Sequence, residues 1–241
     1  MELDTIFFWY SIYMNKTQSS DVIEEEEIVD RIYEAIIDQR LAPNTKLSEA
    51  ALCKAFNVGR MRVRRVLLML ANKGLVELRP NKGAFVASPS VKQARDVFEM
   101  RLLLEPLIIK MAAQKAKSKD IKLLEKHIHK ESTAHVAGDR HAAIRLSGQF
   151  HAALAVIADN QVMLQTVKDL ITQSSLIIGM FGASGVTNCR EDEHAQMLQA
   201  IKTCDAGSAE QLMIDHICHI RDQIDFENQR SQTLDLVSLF S

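Results

Sequence analysis

A mainly helical chain in two parts, a small basic head closed by a β-hairpin and a larger body of about six helices, is the fold class the sequence predicts. Three observations predict it. Breakers are scarce: four Pro and nine Gly in 241 residues, with aromatics at 5%. From residue 91 onward apolar side chains recur at helical spacing, with turn-forming residues only at short breaks. Charge is divided unevenly. Between Arg40 and Ser90 ten Lys and Arg stand against Glu49 and Glu77, a net +8, so a chain of total charge −2 carries −10 elsewhere. A compact basic module on an acidic body points to a polyanion-binding head.

At 47% apolar and 25% charged residues the composition is that of an ordinary globular protein. No repeat of 20–50 residues and no low-complexity tract stands out. The apolar run 6–14 is too short to span a bilayer, and Glu2 and Asp4 precede it where a signal peptide carries positive charge. Residues 1–23 read as an N-terminal extension, disordered or ahead of a start at Met14. Cys53, Cys189, Cys204 and Cys218 have no metal-binding spacing and read as reduced thiols of a cytoplasmic protein.

The head spans 24–88. Its first helix, 24–39, opens on acids and lines one face with Ile28, Ile32, Ala35 and Ile36. A turn, LAPNTKL, leads to Ser48, which can cap a second helix with Leu52 and Phe56 inward. The tight turn Asn57-Val58-Gly59 starts a third helix, 60–72, whose buried stripe is Val63, Val66, Leu67 and Leu70. At 100° per residue Arg65 lies opposite that stripe, with Arg60 and Arg64 on one flank and Arg62 on the other. Four arginines in the opening turns of one helix repel one another unless an anion lies across them. That is the end a helix-turn-helix inserts in the major groove, although a solvated basic face would look the same. Strands 75–79 and 84–87, joined by Pro80-Asn81-Lys82-Gly83, form a wing with Lys82 at its tip.

The body, 89–230, divides into helices at 91–116, 119–137, 139–158, 161–181, 190–203 and 208–228, with a kink expected at Pro106 and a tail, 231–241, after them. All eight histidines lie here. His151, His194 and His216 fall on three different helices among apolar neighbours. A lone histidine in such a place is usually a hydrogen-bonded core residue; three that converge could hold a transition metal through neutral imidazoles.

The stretches L-x-P-x-x-x-L-S-E-x-x-L, N-V-G-R-x-x-V-R, G-L-V-E and N-K-G-A-F-V, over 24–88, resemble the N-terminal winged helix-turn-helix of the GntR family of transcriptional regulators. The resemblance implies DNA contacts from Arg60 and Arg64 and a wing glycine at Gly83, with Arg62, Arg65 and Lys82 as further DNA-facing charges. Met61 and Ala50 stand where relatives have a threonine and an arginine contact, so operator sequence does not carry over. R-L-L-L-E-P, F-H-x-x-L-x-x-x-A-D-N, E-H-x-x-M-L-x-A-I-x-x-x-D and A-E-Q-L-M-x-x-H-I resemble the all-helical effector (FCD) domain of the FadR-type subfamily. That likeness implies metal ligands at His151, His194 and His216, with Ser147 replacing the usual Asp. It also places Arg101 where relatives bind acidic effectors.

Three neutral imidazoles without the Asp leave a divalent ion, zinc or nickel, at about +2, which predicts weaker metal binding, partial or absent occupancy, and stronger attraction for an anion. Arg101 suits a carboxylate through paired hydrogen bonds, or else pairs with Glu105 one turn on. His219 is a substitute ligand, and His127, His129, His135 and His141 are expected at the surface. The function expected is a dimeric regulator, most often a repressor, that binds a palindromic double-stranded operator and senses a small carboxylate-bearing metabolite, with no membrane association. The alternatives are a three-histidine metal hydrolase using Glu193 as base, and an architectural DNA binder without an effector. No H-E-x-x-H, nucleophile elbow or phosphate loop supports an enzyme.

Overall fold

The computed structural model describes residues 23–37, 40–182, 192–225 and 236–240. Residues 1–22, and with them any reading of the N-terminal run, lie outside the described residues, as does Cys189; Cys53, Cys204 and Cys218 are free thiols.

The head runs α1 (Glu25–Ile37), β1 (Lys46–Leu47), α2 (Glu49–Phe56), α3 (Arg60–Asn72), β2 (Val76–Arg79) and β3 (Gly83–Val86). Glu25, Glu26 and Glu27 open α1, where the helix dipole favours acids. Ser48 caps α2 through Ala51 N–H, and Asn57, at φ 53°, ends it in the left-handed region that Asn tolerates. Val63, Val66, Leu67 and Leu70 are buried on α3 and meet Ile28, Ile32 and Ile36 of α1 and Leu52 and Phe56 of α2 in one core. The turn expected at 41–47 contains a strand: β1 pairs antiparallel with β3, Lys46 opposite Phe85 and Leu47 opposite Ala84, giving a three-stranded sheet of order β1-β3-β2. Two residues are too few for a periodic signal, which is why the sequence reads only as a turn. In the wing Asn81 and Gly83 have φ of 58° and 96°, so the tip needs residues that tolerate positive φ.

The body comprises α4 (Val91–Lys115), α5 (Ser118–Val136), α6 (Arg140–Ile157), α7 (Gln161–Phe181), α8 (Glu193–Lys202) and α9 (Ala206–Asp222). Each start has a physical cause. Ser90 and Gln93 make a capping box for α4, and Asp139, Asn160 and Asp205 cap α6, α7 and α9. α4 is the central helix and packs against α6, α7, α8 and α9. It is one continuous element through the buried Pro106. The last body helix ends at Asp222 and not at 228. Ile224 bridges to Gly182, and Asp225 N–H donates to Phe181 O at 2.9 Å, pinning the end of α9 to the end of α7. A short helix, α10 (Leu236–Phe240), lies in the expected tail and packs on α2 of the head. Among the described residues no helix is long and apolar enough to cross a membrane.

The head meets the body along α1, which packs on α6 and α7. Asp30 of α1 has a buried Oδ2 without a hydrogen-bond partner. Burial is the main cause that lifts its carboxyl to about 7, with Glu34, Glu26 and Glu27 adding to it and Lys73 opposing. Because the folded value lies above the unfolded one, stability is complete at pH below the unfolded pKa of about 3.9 and declines as pH rises through 7. Asp30→Asn is therefore expected to stabilise the protein at pH 8 by on the order of 1 kcal/mol, a figure discounted for partial exposure, and to leave pH 4 unchanged. Denaturant unfolding at the two pH values checks this; an equal effect at both would count against it.

Candidate metal and effector site

The site is assembled by four helices around α4. His151 lies on α6, His194 on α8 and His216 on α9, at 2%, 2% and 1% exposure. Their ring centroids are 5.4 Å (His151–His194), 5.1 Å (His151–His216) and 4.8 Å (His194–His216) apart, and one nitrogen from each falls within 4.8 Å of the others. Phe150 stacks on His194 at 4.2 Å and walls the cluster.

The outward-facing nitrogens each meet a carboxylate. His194 Nδ1 donates to Glu131 Oε2 at 2.7 Å, and His216 Nδ1 to Glu193 Oε2 at 2.7 Å. His151 Nδ1 lies 2.6 Å from Glu105 Oε2, a close ion-pair contact and not a straight hydrogen bond. A carboxylate on Nδ1 fixes the tautomer with the proton there, leaving Nε2 as an acceptor. His151 Nε2 and His216 Nε2 are nevertheless 3.1 Å apart. An N–H···N hydrogen bond satisfies that distance when one ring carries its proton on Nε2, as His151, whose Nδ1 makes no hydrogen bond, can. The separation is close to the roughly 3.3 Å expected of two nitrogens on a tetrahedral ion with bonds of about 2.0–2.1 Å. Burial is the main cause that drives the protonation of both rings down, to about 3 for His216, so both are neutral and fit to ligate at pH 7. The donor set fits a divalent transition metal.

Arg101 pairs with Glu105, one of the two readings weighed for it, and faces a cavity. It is 3% exposed and bonds Glu105 through Nε and Nη2, the latter at 3.2 Å, and Ser174 Oγ through Nη1 at 3.1 Å. It also lines a small cavity of about 30 Å³ with His135, Ser147, His151, Ser174 and Ser175, closed on the apolar side by Ile144, Ile171, Ile178 and Ile220. Burial alone would raise the Glu105 carboxyl; Arg101 beside it holds it well below the usual carboxylate range. Ser147, one turn before His151, faces that same cavity. Gly148 keeps α6 and α7 close: a Cβ there would fall 2.7 Å from Ile171 Cγ2.

Three expectations need correction. His127 is 3% exposed and its Nε2 bonds Leu146 O at 2.8 Å, so it is a core residue. His135 is not a surface residue but part of the cavity wall, 4.0 Å from Glu131 Oε1. His219 is no substitute ligand: its Nδ1 donates to Glu193 Oε1 at 2.8 Å and its Nε2 meets Gln223. His129 is exposed, and the His141 side chain is outside the described residues. Glu193 offers one oxygen each to His216 and His219, which leaves it poorly placed as a general base. What the sequence reading missed was the ring of Glu105, Glu131 and Glu193. Glu105, one turn from Arg101, and Glu193, directly before His194, had local signals, but neither was read as a partner of a histidine; Glu131 had none. The missed ring also changes the charge count. With Arg101 positive and three carboxylates negative, the protein around the histidines carries −2, which a divalent ion neutralises.

On the head, Arg60 is exposed at the first turn of α3, whose N-cap is Gly59 and whose first turn holds no acid. Arg64 is exposed and bonds Glu49 at 3.0 and 3.1 Å. The other two face α1. Arg65 pairs with Glu25, and Arg62 donates to Ile23 O at 3.1 Å and approaches Glu25 at 3.8 Å. Lys82 and Gly83 are exposed at the wing.

The sequence profile described as "Bacterial regulatory proteins, gntR family" matches residues 24–86, and that of the FCD domain matches 96–219. The chain belongs to the GntR family of transcriptional regulators, in the group whose C-terminal part is an FCD domain. It is 27% identical over 190 residues, 78% of this chain and 83% of the relative, to the HTH-type transcriptional repressor RspR of Escherichia coli (strain K12). Among solved structures it resembles a GntR-type regulator from Rhodococcus sp. RHA1, with TM-score 0.72 at 18% identity over 83% of this chain and 96% of that one. It also resembles E. coli McbR/YncC, with TM-score 0.71 at 16% identity over 84% and 99%. Family and relatives are transcription regulators and not enzymes.

Proposed function

We propose that the protein is a cytoplasmic, dimeric, metal-dependent repressor whose operator affinity is set by a small carboxylate-bearing metabolite. The observation that carries this reading is a buried three-imidazole cluster, one of whose members, His151, lines a small cavity beside Arg101, in the same chain as a winged helix-turn-helix. His151, His194 and His216 would hold the ion, zinc or nickel, and Glu105, Glu131 and Glu193 would orient them. A bound ion supplies a Lewis-acidic position that a carboxylate can occupy. Since the surrounding protein carries −2, an anionic effector should enter only a metal-loaded site. Arg101 is already paired, so it would meet such a ligand at its free edge and contribute orientation more than charge. An architectural DNA binder would have no use for this cavity, and the relatives' names speak against a hydrolase.

The head would read DNA with Arg60 and Arg64, whose exposed ion pair with Glu49 is cheap to exchange for phosphate or a base edge. Arg62 and Arg65, tied to α1, would brace that helix. In gel shifts on a duplex selected from a random pool, Arg60→Ala and Arg64→Ala should each weaken specific binding by roughly 1–3 kcal/mol. Lys82→Ala should weaken all sequences evenly and flatten the salt dependence. Unchanged affinity of the double arginine variant would exclude this placement.

Met100, Leu103 and Leu107 form an exposed apolar stripe on α4, at 45%, 68% and 47% exposure, which a second copy would cover. Light scattering is expected to give a dimer at micromolar concentration, and a monomer for Leu103→Glu; a wild-type monomer would contradict the reading.

Metal analysis after zinc loading and desalting should find about one ion per chain. His194→Ala and His216→Ala should lose it, and Ser147→Asp, which adds a fourth anionic ligand, should retain it against a stronger chelator. Folded wild-type protein that takes up neither zinc nor nickel would sink the metal reading.

A further inference from the structure

The last described helix, α10, is five residues long. A helix of one turn does not hold itself in water, so its shape depends on what it touches. Leu236 and Phe240, four apart and on one face, are 5% and 4% exposed. Their seat is on the DNA-binding head. The Phe240 ring lies 4.9 Å from the ring of Phe56, at the end of α2. Arg31 of α1 staples the contact. Its guanidinium sits 5.1 Å over the Phe56 ring, and its Nη2 donates to the Phe240 carbonyl at 2.7 Å, one of the carbonyls that a helix end leaves without an internal partner. Arg31 is thus bound to the tail.

The tail follows α9 in sequence. That helix carries His216 and His219, and just past its end Ile224 and Asp225 are pinned to the end of α7. The head meets the body through the connection at 87–90 and the face of α1, and α10, which follows the histidine-bearing helix in sequence, packs on the head.

We propose that residues 236–240 form an intramolecular strap, seated on Phe56 and Arg31, that restrains the DNA-binding head and carries changes at the histidine cluster to it through α9. The seating stands on its own contacts; only its coupling to the cluster rests on the metal reading above. An anchor this small can release without unfolding either part, which suits a regulatory contact better than a structural one.

Hydrogen exchange followed by mass spectrometry on the full chain tests both parts. In Phe240→Asp the amides of α2 should exchange about tenfold faster than in wild type, while those of α4 and α7 keep their rates; Phe240→Leu should retain most of the protection. Equal α2 rates in wild type and Phe240→Asp overturn the strap. Protection of α2 that vanishes on dilution in step with dimer dissociation gives the strap to a neighbouring subunit and overturns the intramolecular assignment. Adding zinc to chelator-stripped wild type should change α2 exchange several-fold, and Phe240→Asp should lose that response while binding the same amount of zinc. A response that persists in Phe240→Asp overturns the coupling alone. Failure of stripped wild type to take up zinc overturns the metal reading and the coupling together, with the strap still decided by the α2 comparison.

Discussion

Three imidazoles whose inner nitrogens are driven together in a dry interior impose most of what surrounds them. Each outer nitrogen lies at a carboxylate, and Nε2 of His151 and Nε2 of His216 are 3.1 Å apart. Neutral imidazoles gathered in this way and backed by carboxylates are a favourable arrangement around a cation. The three carboxylates follow from it, one each from α4, α5 and α8. Arg101 follows in turn, because Glu105 is almost fully buried and needs a positive partner as well as a histidine. Ser174 then takes up one of the remaining guanidinium donors. The chain of requirements runs from ligand to carboxylate to arginine to hydroxyl, and it accounts for the burial of Glu105, Glu131, Arg101 and Ser174 in an otherwise apolar bundle.

The head answers the opposite problem. Its charges are exposed, and they are held by weak pairs. Arg64 and Arg65 bond Glu49 and Glu25 in water-accessible positions, where an ion pair contributes little and exchanges readily. The buried Arg101–Glu105 pair cannot exchange so easily. The buried cluster holds a fixed geometry, and the exposed pairs on the head exchange readily. The GntR and FCD matches fall on the same two parts of the chain.

Much of this was legible beforehand because it is local. The buried stripe of α3, the Ser48 and Ser90 caps, and the wing turn each depend on residues within a few positions. Strand β1 was missed because two residues carry no period. The end of α9 was placed at 228 because nothing in the sequence marks a stop at Asp222, where a contact with Gly182 intervenes. His127 and His135 looked like surface residues because α5 is rich in charge. Their fate was decided by what packs on that helix face: Leu146 bonds His127, and Ala143, Ile144 and Ser147 share the cavity wall with His135.

The sequence by itself determined the class of fold, the order of its elements, the arginine-rich opening of α3, and the three histidines as candidate ligands, all through spacing and residue type. The tertiary structure alone decided that Glu105, Glu131 and Glu193 stand behind those histidines, that Arg101 faces the cavity, and that Phe240 rests on Phe56. The physical reason is separation along the chain. His194 lies 63 positions from Glu131, and Arg31 lies 209 positions from Phe240. No periodicity encodes such a pairing; only the packing of helices that are local in themselves brings the partners together.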